Sequence, residues 1–252
     1  MQRRKTSTKC GGIDVGKHWL DAAVHGHAEA MRVGRDAAGV AALIAAATAQ
    51  VDQVKAASDP RLRDLADRLT AYEQISDQLA ELKGFLEHAG PRDVLRQLKA
   101  QVASLARLKT RLAAGVLERL KAHPDLAARY ALLISLPGVG PIVAASLVVR
   151  MPELGQMARG QAAALLGVAP FDRDSGQLKG KRFIAGGRRR PRRLVYLAAL
   201  SAKRCDPHHK AFAQRLAERG KPAKLIIVAV MRRLIEAANL VLARQKPWAP
   251  LA

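Results

Sequence analysis

Aromatic side chains are scarce in this sequence: Phe, Trp and Tyr make up 4% of 252 residues. Proteins that hold single-stranded nucleic acid by base stacking need platforms of such rings, so stacking is excluded as the main mode of binding. Cysteine is as scarce. Cys10 and Cys205 stand alone and far apart, which excludes a disulfide framework and a cysteine-based zinc site. His208-His209, after Asp206-Pro207, has no cysteine or spaced histidine with which to share a metal and reads as part of a loop. No apolar run approaches the length of a membrane span, so no membrane is expected. The N-terminal MQRRKTSTK is basic, as a signal peptide would be, but no apolar stretch follows it, and the expected location is the cytoplasm. Internal repeats are absent, as is low complexity beyond an alanine bias.

Acids are the other shortage. Against 43 Lys and Arg the chain has 21 Asp and Glu, a formal charge of +22 and a pI near 11. Such a field attracts polyanions at long range, with an affinity that falls steeply with salt. An anionic membrane is the competing partner, but no basic amphipathic helix supports it. The 49% hydrophobic content is largely Ala, Leu and Val, which favours helices.

The most informative stretch runs from Leu132 to Arg193. Leu136-Pro137-Gly138-Val139-Gly140-Pro141 lies between two apolar runs and reads as a helix-hairpin-helix. Glycine permits the turn, and Pro141 suits the first helical position, where its missing N–H is not needed. The turn would present free amides of Gly138, Val139 and Gly140 to a phosphate. The alternative is a plain glycine cap and proline start joining two core helices. Downstream, Lys179, Lys181, Arg182, Arg188, Arg189, Arg190, Arg192 and Arg193 accumulate with no acid among them. A buried-looking helix, Leu194 to Leu200, follows at once, so the run is a polyanion contact rather than a tail. Gly186-Gly187 would let the backbone approach a phosphate chain closely.

Upstream, Lys9 to Ala23 reads as a β-hairpin with a strand ending near Asp14 and a turn at Gly16-Lys17. Asp14 is either a carboxylate that holds a divalent metal at a strand end or a simple turn residue. A short helix lies within residues 36–49. Then Leu62, Leu65, Leu69, Tyr72, Ile75, Leu79, Leu82 and Leu86, and after a break at His88-Ala89-Gly90-Pro91 the series Leu95 to Leu120, mark one face of each of two long helices. They predict an antiparallel hairpin whose narrow apolar stripes could recruit a second copy through residues 61–120. Asp64 and Asp67 fall off the stripe and face water. After His123-Pro124 come the helix-hairpin-helix, the basic loop and two further helices.

Taken together, Gly12-Ile13-Asp14-Val15-Gly16-Lys17, the long hairpin, LPGVGPIVAASLV, Gly167-Val168-Ala169-Pro170 and DSGQLKGKRFIAGGRRRPRRLVYLAAL resemble the DEDD-type insertion-sequence transposases. The match is specific over residues 131–243 and rests on one short motif at the N-terminus. In that family a RuvC-like nuclease domain, a coiled coil and a second transposase domain act with a structured bridge RNA that guides pairing to donor and target DNA. The resemblance implies a composite site, in which four acids bind Mg²⁺ and a serine attacks the scissile phosphate. Asp14 matches the first acid and Ser175, in Asp174-Ser175-Gly176, the serine. Taken alone, Ser175-Gly176 reads as a turn. Activation would come from the metal and from Lys179, Lys181 and Arg182.

The sequence departs from this pattern in its first fifty or so residues. Three of the four acids have no match, and a RuvC-like fold needs on the order of a hundred residues, more than lie between Gly11 and Ser58. The expectation is a mainly α protein in three parts. Residues 1–58 are a shortened remnant of a RuvC-like α/β domain holding a β-hairpin, 59–122 a coiled-coil helical hairpin, and 123–252 a helix-hairpin-helix transposase domain. Its expected function is DNA transposition by strand cleavage and exchange, with catalysis impaired in this copy. The competing class is a non-catalytic nucleic-acid-binding protein descended from a transposase. A helix-turn-helix repressor is more distant, since no recognition helix opens with base-reading side chains.

Overall fold

The computed structural model describes residues 11–15, 18–24, 31–44, 59–88, 90–171 and 183–249. The chain divides into two compact units, Met1–Ser58 and Asp59–Ala252. It is mainly helical, with little sheet.

In the first unit, β1 (Gly11–Val15), β2 (Trp19–Val24) and β3 (Met31–Gly34) form an antiparallel meander in the order β1-β2-β3. The β1-β2 hairpin matches expectation, and its register sets Asp14 opposite Asp21. The third strand was not foreseen, because four residues with one glycine and one arginine carry too little alternation to stand out. Gly16 and Lys17 lie outside the described residues. Helix α1 follows, described over residues 37–44, and Asp36 Oδ1 caps its start by accepting from the Gly39 amide at 2.7 Å.

The second unit opens with helices α2 (Pro60–Leu86) and α3 (Arg92–Lys121), packed as the expected antiparallel hairpin. Asp59 caps α2 by accepting from the Arg61 amide at 2.9 Å, and Pro60 occupies the first turn. Only the base of the hairpin is deeply buried. Leu65, Leu69, Val116 and Leu120 belong to the same core as the helices that follow, whereas further out only Leu79 is buried. Asp64 and Asp67 are exposed, as expected.

Helix α4 (Pro124–Ile134), a turn and α5 (Pro141–Arg150) come next. Every residue from Ala144 to Val149 is buried, Ser146 included, so α5 is the central helix of the unit, covered on all sides. A short α6 (Gln161–Leu166) leads to a two-stranded ribbon of β4 (Pro170–Phe171) and β5 (Phe183–Ile184). Three helices, not two, close the chain: α7 (Arg189–Cys205), α8 (Pro207–Glu218) and α9 (Ala223–Arg244).

The unforeseen α8 corrects the reading of His208-His209 as a loop. Asp206 caps the helix by accepting from the His209 amide at 2.9 Å, with Pro207 in the first turn. His209 is buried, its Nδ1 2.6 Å from Asp206 Oδ2. Burial raises the Asp206 carboxyl, but the His209 amide and ring outweigh it and hold the group below its ordinary value. The Asp-Pro pair is itself a helix-start signal.

Candidate nucleic-acid interface

Gly138 sits at φ +75°, the left-handed conformation that the turn between α4 and α5 requires. Its open side does not face solvent. A Cβ there would lie 2.4 Å from the Ala198 carbonyl oxygen and 2.6 Å from the Ala202 amide, so the turn is pressed against the backbone of α7. Val139 is buried beside it, in a small cleft shared with Leu147, Val195, Ala198, Leu234 and Ile235. The Gly138 and Val139 side of the turn is therefore a packing contact. What remains for a phosphate is the Gly140 end, where a Cβ would meet nothing within 4 Å and no side chain caps α5.

A second glycine contact organises the basic segment. Gly167 and Gly187 both have positive φ, and a Cβ on Gly187 would lie 2.3 Å from the Gly167 nitrogen. The Arg188 amide bonds the Leu165 carbonyl at 2.9 Å. Pro170 pairs with Ile184 and Phe171 with Phe183, which brings the described residues 171 and 183 together. Ser175, Lys179, Lys181 and Arg182 fall between those two in sequence and lie outside the described residues. Gly187 thus packs on protein rather than meeting a phosphate chain; Gly186 keeps open space around the place of its Cβ.

The arginines look acid-free in sequence, but folding brings acids to them. Arg188 pairs with Glu153, Nη1 to Oε2 at 2.7 Å, and also donates to the Arg150 carbonyl at 2.6 Å. Arg190 Nη1 donates to Glu73 Oε2 at 2.8 Å, while the other Glu73 oxygen accepts from Arg150. Arg193 Nη1 donates to Asp77 Oδ2 at 2.7 Å, and Arg192 Nη1 to the Gly167 and Gly186 carbonyls at 3.1 and 2.8 Å. Arg189 is exposed and has no partner among the described residues. Two of these acceptors, Glu73 and Asp77, come from α2, so the run stitches the start of α7 to the hairpin.

The carboxyl groups register the contact. Hydrogen bonding from Arg193 holds Asp77 below its ordinary pKa. Burial pushes Glu153 up, but the Arg188 hydrogen bonds and the local backbone outweigh it and leave the carboxyl lowered. The start of α7 nevertheless remains partly open: the Arg190 and Arg193 side chains keep 51% and 61% of their exposure, so a polyanion could reach them alongside Arg189.

Asp14 belongs to the other unit, on β1, opposite Asp21. Sequence reading missed Asp21, because its relation to Asp14 depends on the hairpin register. Among the described residues no three His, Cys, Asp or Glu side chains gather as metal ligands. The donors described do not make up a set that fits Mg²⁺, which takes near-octahedral oxygen coordination. No helix among the described residues is long and apolar enough to cross a membrane.

Residues 130–214 match the model of the Transposase IS116/IS110/IS902 family. The chain is 27% identical over 179 residues to the insertion element IS110 uncharacterized 43.6 kDa protein of Streptomyces coelicolor, covering 70% of this chain and 43% of that one. It is 33% identical over 124 residues to the insertion element IS900 uncharacterized 42 kDa protein of Mycobacterium paratuberculosis, covering 46% and 29%. With the pilin gene-inverting protein of Moraxella bovis it shares 27% identity over 143 residues, covering 55% and 44%. The aligned regions thus span less than half the length of these relatives. The segment from α4 into α8, which holds the turn, the Ser175 span and the arginine helix, is what relates this chain to the IS116/IS110/IS902 transposase family.

Proposed function

We propose that the chain is a DNA-recombining protein of an insertion element, binding DNA and a structured guide RNA and acting in strand cleavage and exchange. The observation that carries this reading is the match of residues 130–214 to the transposase family. Ser175 and three cations, Lys179, Lys181 and Arg182, fall in sequence within that segment, between the paired strands β4 and β5. In the proposed reaction Ser175 Oγ forms a bond to the scissile phosphorus and loses its proton to a nearby base. The bond from phosphorus to the leaving sugar oxygen breaks, and that oxygen takes a proton. A strand hydroxyl later attacks the phosphoserine ester and releases the serine. The cations would stabilise charge developing on the phosphoryl oxygens.

Serine is a poor nucleophile unless activated. A divalent metal would supply that activation and polarise the phosphate, and Asp14 is the residue of this chain proposed to hold it. A single carboxylate among waters holds Mg²⁺ too loosely to orient an attack, and Asp21, its register partner, adds one more at most. The reading therefore has this copy bind DNA with impaired catalysis. The donor set is also what favours the second reading, a non-catalytic nucleic-acid-binding protein. Incubating the purified chain with Mg²⁺, a candidate guide RNA and end-labelled donor DNA should give binding without a covalent protein–DNA adduct. An adduct that Ser175→Ala abolishes would show the site to be complete and the impairment wrong. Absence of DNA binding would sink the first reading, and absence of binding to both DNA and the guide RNA would sink both.

The hairpin is the proposed contact between copies. Its outer half buries little, Phe85 and Val94 near its tip are 56% and 40% exposed, and Leu82, Phe85 and Leu105 help line a groove of about 520 Å³ between α2 and α3. Leu79, by contrast, is already buried and is not the residue through which copies would meet. Sedimentation equilibrium should find a dimer or larger species at tens of micromolar, the range of weak helical contacts. A monomer at that concentration would remove the oligomer from the proposal. The proposed setting is the cytoplasm, where the DNA is.

A further inference from the structure

Three of the five arginines between Arg188 and Arg193 are answered by carboxylates of the same chain, whereas five cations on one face of α3 have none among the described residues. Arg92, Arg96, Lys99, Arg107 and Arg111 are all exposed, and none has an ion-pair partner among the described residues. Two other cations of α3 lie over rings, Lys109 over Tyr72 at 5.3 Å and Lys121 over Tyr130 at 5.5 Å. At 3.6 residues per turn the five unpaired ones fall within an arc of about 120° and extend over about 29 Å. The acids of α3, Asp93 and Glu118, stand near its two ends. Ala100, Ala103 and Thr110 fill the gaps between the cations, so nothing bulky keeps a backbone at a distance.

We propose that this ridge is a docking surface for the phosphate backbone of double-stranded DNA, which it holds without reading sequence. Charge complementarity carries the assignment: a duplex offers roughly one phosphate per 1.7 Å of axis, so a ridge of five cations without ion-pair partners among the described residues meets phosphates along its length. Within the arc of the cations the ridge presents only small side chains, and Gln97 and Gln101, which could read base edges, lie beyond its edge. It has no aromatic ring for single strands to stack on. The apolar stripe of α3 turns toward α2, so the basic face lacks the adjoining apolar surface by which an amphipathic helix enters a membrane. The wide major groove of B-form DNA can receive a straight helix along its edge, whereas the deep, narrow groove of A-form RNA cannot. The proposal rests on the DNA-binding reading and adds to it a contact separate from the arginine helix.

The test uses the full chain and a 30-base-pair duplex of arbitrary sequence, with affinity followed by anisotropy from about 0.05 to 0.3 M salt, where counterion release is readily measured. Replacing all five cations by Gln, a good helix former at exposed sites, should leave the circular dichroism unchanged. It should weaken binding at 0.1 M salt at least about tenfold and reduce the slope of log K against log salt by about four. Arg92→Lys, Arg96→Lys, Arg107→Lys and Arg111→Lys together should retain the wild-type slope. If the wild type binds and the Gln variant keeps its slope, the ridge proposal fails alone. If the wild type does not bind duplex DNA, the ridge and the DNA-binding reading fail together. A Gln variant that loses duplex RNA but not DNA would overturn the choice of DNA, and one that changes only its sedimentation mass would make the ridge a protein contact.

Discussion

Gly138→Ala is expected to destabilise the 59–252 unit by about 3 kcal/mol, while Gly140→Ala changes it by less than about 1 kcal/mol. The two glycines flank one valine and look equivalent in sequence. Gly138 adopts φ +75°, strained for alanine by roughly 1 kcal/mol. Its new Cβ would also lie 2.4 Å from the Ala198 oxygen, a backbone atom that can retreat only if α7 moves. Overpacking of that kind costs about 1–3 kcal/mol. Gly140 has φ −82° and open space, so alanine fits. Denaturant melts of the two variants check this, with a melting temperature lowered by about 6–12 °C for Gly138→Ala. Equal, small losses of stability together with equal losses of DNA affinity would instead make the whole turn a phosphate ligand, and the packing account would fall.

Glu73→Ala should cost about 3–5 kcal/mol, more than its single charge suggests. The side chains of Glu73 and Arg150 are 12% and 9% exposed, and Arg150 also reaches the Ala66 carbonyl and Thr70 Oγ1. Removing the carboxylate strands a buried guanidinium and frees Arg190 from its partner. A Glu73→Met, Arg150→Met double variant, which removes both charges, should recover most of the loss. No recovery would mean that the pair acts through something other than charge burial. The exposed pairs of the same contact should respond to acid. Asp77 and Glu153 are held below their ordinary pKa values, so their contribution is complete at neutral pH and disappears as pH falls through the lowered values. The urea midpoint should drop below about pH 4 in the wild type, and less steeply when Asp77→Asn and Glu153→Gln are combined. Identical pH profiles would show that these carboxyls are not linked to folding.

The contact that both experiments probe changes what the arginine run means. In sequence it is an uninterrupted patch of positive charge. In the fold Arg188, Arg190 and Arg193 hold α7 against Glu153, Glu73 and Asp77, and Arg192 closes the Gly167–Gly187 contact. A variant such as Arg190→Ala therefore perturbs stability and charge together, whereas Arg189 has no hydrogen-bond or ion-pair partner among the described residues to lose.

The local elements were legible from the chain itself. Apolar residues at spacings of three and four marked α2 and α3, and Pro141 after the glycine turn marked the start of α5, because periodicity and caps act within a few residues. The same signals mark the start of α8 at Asp206-Pro207. Ser175 is singled out only by resemblance, since one serine in a glycine-rich loop carries no distinguishing physical signal. Tertiary structure alone decided which charges are neutralised. Glu73 and Asp77 lie 117 and 116 residues from their arginine partners, too far for any local pattern to reveal. It likewise decided that Gly138 faces the backbone of α7, and that a three-stranded register sets Asp21 across from Asp14. Residue type determines the charge and the turn, but packing between distant segments determines what each one meets.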